Sequence, residues 1–100
     1  ICDIDGSQLA FLNRHGPGHR VPPHAVDYHG NMRALAALGV RSVVATFACG
    51  SLLPEVGPGA LVVPDQLIDR SRRRDTFFDT FEDGPRHTPF ADPYDQTVRA

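Results

Sequence analysis

The chain has 100 residues, 41% hydrophobic and 22% charged, which allows one domain at most and is typical of a soluble globular protein. Its formal net charge of −2 disfavours non-specific binding to nucleic acid, and no apolar run reaches the length of a membrane span. Cys2 and Cys49 lack metal-ligand spacing, so they favour a reducing, cytoplasmic setting.

A cation and an imidazole follow the first predicted strand. The apolar run at 8–12 predicts this strand, and the glycines and prolines of 14–23 exclude regular structure directly after it. Arg14 offers a fork of donors suited to phosphate, and His15 adds a donor that can be charged near neutral pH. Open α/β sheets bind ligands at the carboxyl ends of their strands, so we predict an anion site for phosphate here. A solvated surface loop is the alternative.

A helix and a second strand come next. The helix is expected from His24 or Asp27 to Leu38, because apolar residues recur at helical spacing and Gly39 is a natural C-terminal cap. The run at 41–48 predicts a buried strand. Strand, helix and strand in this order imply a right-handed crossover and a parallel pair.

The second half of the chain predicts a third strand and a long irregular segment. The third strand is expected at 60–63, after a Pro-Gly turn. The segment 70–95 is irregular, yet its four phenylalanines argue against disorder and indicate a loop that docks on a partner such as another subunit. Residues 95–100 predict the opening of a helix.

A second loop follows the strand predicted at 41–48. Its residues Phe47, Ala48 and Cys49 precede Gly50, which allows a tight backbone whose N–H groups could bind an anion. A plain turn is an equal alternative. Cys49 lies beside apolar residues, which favours an inert thiol over a nucleophile.

The remaining histidines, aspartates and arginines are expected to have structural roles. Four histidines fall within fifteen residues, but glycines and a proline break the helix that would hold His15 and His19 on one face, so no metal site is expected. Asp69 is expected to pair with Arg70 or with an arginine before it. The arginine triplet at 72–74 has acidic neighbours and is expected to be solvated and charge-paired.

Several stretches of the chain carry a resemblance to a known family. They are FLNRHGPGH at 11–19, residues 23–38, ACGSL at 48–52, GALVVPDQLIDR at 59–70 and HTPFADPY at 87–94. In this order they resemble the 5′-methylthioadenosine phosphorylase branch of the trimeric purine nucleoside phosphorylases, over nearly all of residues 9–99. The resemblance implies an α/β fold of the nucleoside-phosphorylase type, with a mostly parallel or mixed sheet flanked by helices. Residues 1–100 would then form an incomplete fragment of that domain, missing both ends.

The resemblance also implies a reaction. Inorganic phosphate would attack the anomeric carbon of a purine nucleoside, which for this branch releases adenine and 5-methylthioribose 1-phosphate from 5′-methylthioadenosine. Phosphate would be a co-substrate, with no metal and no other cofactor. The full-length protein would be a cytoplasmic homotrimer, without a nucleic-acid or membrane partner. The acidic residues that recognise the purine would lie outside this chain, which alone would be inactive.

The same resemblance also implies a role for individual residues at the phosphate and substrate sites. Arg14 and His15 match the phosphate-contacting pair, and Phe47 and Ala48 match a second phosphate-contacting loop. His87 matches a histidine near the 5′ substituent of a neighbouring subunit's substrate, and the segment that carries it, 70–95, would be a subunit contact. His19 would lie near the substrate as well.

One residue departs from the family pattern. The family has a small hydroxyl residue where this chain has Phe47, so only the backbone N–H groups of Phe47 and Ala48 remain as donors. Two alternatives therefore stay open beside methylthioadenosine phosphorolysis. One is a phosphorylase for inosine, guanosine or methylthioinosine, and the other is a degenerate homologue that only binds or oligomerises.

Overall fold

The computed structural model describes residues 1–73 and 75–100, and it begins with a short antiparallel hairpin. Strands β1, Cys2–Ile4, and β2, Ser7–Leu9, pair with Cys2 opposite Leu9. The turn is Asp5-Gly6, with φ of 51° and 79°, the pair of left-handed residues that a two-residue hairpin turn requires. The strand predicted at 8–12 is therefore wrong in its bounds, because the hairpin partner ends pairing at Leu9.

Helix α1, Tyr28–Ala37, confirms the second predicted element and selects between its two predicted starts. The carboxylate of Asp27 accepts a hydrogen bond of 2.8 Å from the Gly30 N–H, so Asp27 is the N-cap and His24 lies outside the helix. A single 3₁₀ turn, Pro23–Ala25, precedes the cap, and another, Pro17–His19, lies in the loop before it.

The C-terminal end of α1 shows why a glycine follows it. Gly39 has a φ of 74°, and its N–H donates to the Ala36 carbonyl at 2.9 Å, while the Val40 N–H donates to the Leu35 carbonyl at 3.1 Å. These two bonds are the pair that closes a helix through a left-handed residue. The predicted cap at Gly39 is thus confirmed. Helix α2, Gln96–Arg99, confirms the last predicted element, with Asp95 as its N-cap.

The predicted strands at 41–48 and 60–63 are not formed. No β-ladder includes them within the part of the chain that the structure describes, and their apolar side chains are exposed, Val44 to 78% and Leu61 to 98%. A strand exists through hydrogen bonds to a neighbouring strand, and an apolar run does not supply that neighbour. The predicted parallel pair is accordingly absent from the described residues.

The chain forms two compact units. The first comprises Ile1–Arg41 and Arg73–Thr80, and the second comprises Ser42–Arg72 and Phe81–Ala100. Val26 of the first unit, at 2% exposure, is the one fully buried hydrophobic side chain of residues 1–73 and 75–100, while Val56 of the second unit is half-buried.

The later part of the first unit packs on helix α1. The ring of Phe77 lies 4.7 Å from that of His29, and the Arg33 guanidinium lies 5.7 Å from the centre of the same Phe77 ring. One of the four phenylalanines predicted to dock on a partner therefore contacts this chain's own helix. The described residues of 70–95 carry neither helix nor strand, as the sequence predicts.

A helix long and apolar enough to span a bilayer does not occur among residues 1–73 and 75–100.

Candidate functional site

Residues 13–21 form a loop, the 13–21 loop, that is held by its own hydrogen bonds. The Gly16 N–H donates to the Asn13 carbonyl at 3.0 Å, and the Asn13 side chain closes the same turn twice. Its Oδ1 accepts from the His15 N–H at 3.2 Å and its Nδ2 donates to the Gly16 carbonyl at 2.8 Å. Arg14 and His15 are thereby held in the middle of a fixed turn, and both are half-buried.

The His15 ring is oriented by one backbone carbonyl. Its Nδ1 lies 2.8 Å from the Val21 oxygen, and because a carbonyl only accepts, Nδ1 carries the proton and donates. The Val21 N–H returns a bond of 2.8 Å to the His15 carbonyl, which closes the loop. The remaining ring nitrogen, Nε2, is the atom that can meet a ligand.

A second histidine ring packs against the first. The His19 and His15 rings are stacked, with centroids 4.5 Å apart and planes 21° apart. His19 has a φ of 57°, a left-handed conformation that a residue with a side chain adopts rarely, and it reaches the stack from there. The structure therefore places His19, predicted to lie near the substrate, on the face of the His15 ring.

Gly16 permits this closure of the loop. It has a φ of 71°, and a Cβ atom built on it would lie 3.2 Å from Cγ2 of Val21. A side chain at this position would both strain the backbone and push Val21 away from His15.

The charge of the 13–21 loop suits an anion. Residues 6–26 contain no Asp or Glu, while the loop itself carries Arg14 and Arg20 beside its two histidines. A guanidinium and an imidazole on one short turn, without an acid nearby in sequence, attract phosphate rather than a cation.

The second predicted phosphate loop belongs to the second unit. Phe47 is 60% exposed, and Ala48 and Cys49 are exposed as well, in a stretch without helix or strand. Their roles toward phosphate stay predictions. Cys49 is a free, exposed thiol, so the burial on which its predicted inertness rests is not observed.

His87 is exposed, within the irregular part of the second unit. Its predicted place near the 5′ substituent of a substrate stays a prediction. No three His, Cys, Asp or Glu side chains come together to hold a metal ion in the part of the chain that the structure describes.

Sequence reasoning missed two residues of this site, Asn13 and Val21. Asn13 had a readable signal, since an asparagine at the start of a turn bonds its own backbone two residues on. Val21 acts through its main chain, for which the side chain gives no signal.

Comparison with known proteins places the chain in a family. Residues 4–100 match the phosphorylase superfamily. The chain is 58% identical to the S-methyl-5′-thioadenosine phosphorylase of Mycobacterium tuberculosis and 55% identical to that of Mycolicibacterium smegmatis. It is 48% identical to the purine nucleoside phosphorylase of Streptomyces coelicolor.

All three alignments cover the whole of this chain but only 37–38% of the relatives' length. No solved structure matches the chain significantly. The similarity to the methylthioadenosine branch, read first from the motifs, is confirmed by these relatives. The chain belongs to the phosphorylase superfamily.

Proposed function

We propose that the protein carrying this chain catalyses phosphorolysis of a purine nucleoside, with 5′-methylthioadenosine as the substrate. A phosphate oxygen forms a bond to the anomeric carbon as the bond from that carbon to the purine nitrogen breaks. The products are adenine, which takes up a proton, and 5-methylthioribose 1-phosphate. The relatives named S-methyl-5′-thioadenosine phosphorylase support this substrate.

The observation that carries the proposal is the geometry of the 13–21 loop. It holds Arg14 at the tip of a closed turn and fixes the His15 ring through Val21, so that Nε2 is the nitrogen left for a ligand. Donors fixed before the anion arrives lose little on binding it. A phosphate held beside the sugar also stabilises the positive charge that develops as the glycosidic bond breaks.

The rest of the fold and assembly is inferred in the same way. We infer that residues 41–48 and 60–63 become strands of a parallel or mixed sheet flanked by helices, which supplies the neighbours that they lack here. We also infer a cytoplasmic homotrimer in which 70–95 contacts a second subunit and His87 reaches its substrate. Phosphate is the co-substrate, and no metal or other cofactor takes part.

Two other functions each have one supporting observation. The Streptomyces coelicolor relative is named purine nucleoside phosphorylase, which favours other purine nucleosides as a second candidate substrate class. Phe47 offers phosphate no side-chain donor, which favours a homologue that binds or oligomerises without catalysis.

The test compares two arginines of the same loop in the full-length protein. Arg14→Ala is expected to lower kcat/KM for phosphate by about 100-fold, since a charged, forked pair of hydrogen bonds is lost. Arg20→Ala removes the other, exposed arginine of the loop and is the matched control. It is expected to lower kcat/KM by less than about threefold, because an exposed charge contributes only a screened attraction. Adenine release is followed by absorbance, and sugar 1-phosphate by phosphorus NMR.

Each outcome decides between the candidates. Cleavage of the nucleoside without phosphate would exclude phosphorolysis. Equal losses in the two variants would contradict the role of Arg14. Failure to bind phosphate at millimolar concentration would support the non-catalytic homologue, and turnover of inosine in preference to 5′-methylthioadenosine would support the second substrate class.

A further inference from the structure

Arg73 belongs to the triplet predicted to be solvated and charge-paired, and it is exposed and paired with Asp75, as predicted. Its guanidinium also binds the main chain of the first unit, which the sequence did not indicate. Its Nη1 donates to the carbonyls of Pro23 and His24 at 3.3 and 3.4 Å, and its Nη2 to the Val26 carbonyl at 3.3 Å. The Asp75 carboxylate accepts the two remaining contacts, from Nη2 at 3.2 Å and from Nε at 2.8 Å. A guanidinium has five N–H donors, and these contacts use all five. Arg74, the last of the arginine triplet, lies outside the described residues.

Arg73 is thus a clamp on the chain just before helix α1. The guanidinium carbon lies 4.8 Å from the centre of the Tyr28 ring, so the cation also contacts an aromatic face. Two of the carbonyls that it binds belong to the 3₁₀ turn Pro23–Ala25, and the third belongs to Val26, the buried apolar residue that follows this turn. We call this arrangement, Arg73 with Asp75, the arginine clamp.

Two prolines connect the arginine clamp to the 13–21 loop. The Val21 carbonyl, which orients the His15 ring, and the Pro23 carbonyl, which Arg73 binds, are separated by Pro22 alone. Proline fixes its own φ, and Pro22 has a φ of −68°, so two of the four backbone torsions between the two carbonyls, the φ angles of Pro22 and Pro23, are restricted. We therefore expect a shift of the Pro23 carbonyl to be passed in part to the Val21 carbonyl, which is the acceptor of His15.

We propose that Arg73 is a positioning residue for phosphate binding. The arginine clamp binds the carbonyls of Pro23, His24 and Val26. The two prolines limit how far Val21 moves relative to them, and the Val21 carbonyl orients the His15 ring so that Nε2 faces the anion. Asp75 holds the guanidinium in place. This inference rests on the proposed function, because it assigns to Arg73 an effect on the same phosphate site.

The test is steady-state kinetics of the full-length protein, with phosphate and nucleoside varied in turn. Arg73→Lys keeps the charge but offers three donors from one point, so it cannot bind three carbonyls and a carboxylate at once. The KM for phosphate is expected to rise about tenfold, while the KM for the nucleoside changes less than twofold. Arg72→Lys, on the exposed neighbouring arginine, is the matched control and is expected to leave both constants unchanged.

A second variant covers the case in which Arg73→Lys does not fold. Asp75→Asn removes one charge while keeping the shape, and is expected to raise the KM for phosphate about threefold. A purely structural role would lower the active fraction and the melting temperature with both KM values unchanged, and that result would overturn the inference. An unchanged KM for phosphate in whichever variant folds would overturn it too.

The Arg14→Ala variant distinguishes failure of the proposed function from failure of the positioning role of Arg73. If Arg14→Ala retains full phosphorolysis, the phosphate site itself is wrongly assigned. If Arg14→Ala abolishes it and the Arg73 and Asp75 variants bind phosphate like wild type, only the positioning role of Arg73 is wrong.

Discussion

The 13–21 loop with helix α1 and the stretch 41–63 are similar in length, yet only the first contains a helix. The second has separate turns, such as the one that the Val56 N–H closes on the Leu53 carbonyl at 3.0 Å. Each turn of the loop and each end of the helix finds a partner within six residues, as in the pair of His15 with Val21. The stretch 41–63 is richer in β-branched residues and contains no ladder. Among residues 1–73 and 75–100, structure that depends on near neighbours in sequence is present, whereas strand pairing with a distant segment is not.

This difference also explains where the apolar surface lies. Val44, Leu61 and Val62 expose 78%, 98% and 67% of their surface, and they belong to the runs that predict buried strands. Isolated strands gain little, because fixing each residue costs about 1–2 kcal/mol of conformational entropy before any packing is gained. These runs therefore have the apolar sequence that is typical of buried strands, but their side chains are exposed.

The largest expected effect concerns these runs and tests whether they become strands. In the full-length protein, amide hydrogens of residues 43–45 are expected to exchange about a thousandfold more slowly than in the 100-residue chain alone, because a neighbouring strand then binds them. The measurement is hydrogen exchange by mass spectrometry on both proteins. Helix α1 is the internal control, since its amides are bonded within the chain in both. Equal exchange of residues 43–45 in the two proteins would contradict a sheet there.

An intermediate effect is expected from the His15 ring, whose two nitrogens can be tested apart. His15→Asn keeps an N–H near the Nδ1 position, toward the Val21 carbonyl, but removes Nε2, so the KM for phosphate of the full-length protein is expected to rise about tenfold. His15→Gln keeps a donor near the Nε2 position and loses the Val21 bond. It is expected to raise that KM about threefold and to lower the melting temperature.

The two variants control for each other, because His15→Asn keeps the bond to the Val21 carbonyl and loses Nε2, while His15→Gln does the reverse. Kinetics with varied phosphate and thermal melts check both. A wild-type KM in His15→Asn would show that Nε2 does not face phosphate, and the 13–21 loop would then be a structural element alone.

The sequence predicts well those elements whose ends are set by residues close together in the chain. Asp27 before an amphipathic run and Gly39 after it define α1 at both ends, and both caps are observed. The strong local hairpin signal Asp5-Gly6 is equally short-ranged, and the bounds predicted for the first strand missed it. These elements need no knowledge of the rest of the molecule.

What the sequence does not predict is pairing over distance. Arg73 binds carbonyls that lie 47 to 50 residues earlier in the chain, and no feature of the arginine triplet indicates which of its members does so. Within the candidate site, residue type and glycine content indicate Arg14 and His15 as an anion-binding pair, a role that stays a prediction. The Val21 carbonyl that orients His15 was not, because main-chain acceptors leave no mark on the sequence.

The smallest expected effect lies in the second unit, where Asp69 forms the kind of local bond that is typical of the first. It was expected to pair with an arginine, but its Oδ1 accepts from the Ser71 N–H at 2.7 Å. This backbone bond, with a further bond from the Ser71 hydroxyl, lowers the pKa of Asp69 from its ordinary value of 3.8, against a slight opposing effect of burial.

The sign of the pH dependence follows from that direction. Because the folded-state pKa of Asp69 is the lower one, its stabilising contribution is fully present above the unfolded-state pKa and is lost as the pH falls below 3.8, through the folded-state value. Ser71→Ala removes the hydroxyl and is expected to raise the pKa of Asp69 slightly, whereas Ser71→Pro removes the N–H and raises it further. Carboxyl-carbon NMR titration of the two variants measures the shift. An unchanged pKa of Asp69 in Ser71→Pro would mean that the turn at Asp69 and Ser71 is not held in solution, and helix α2 would then be the better example of local order in the second unit.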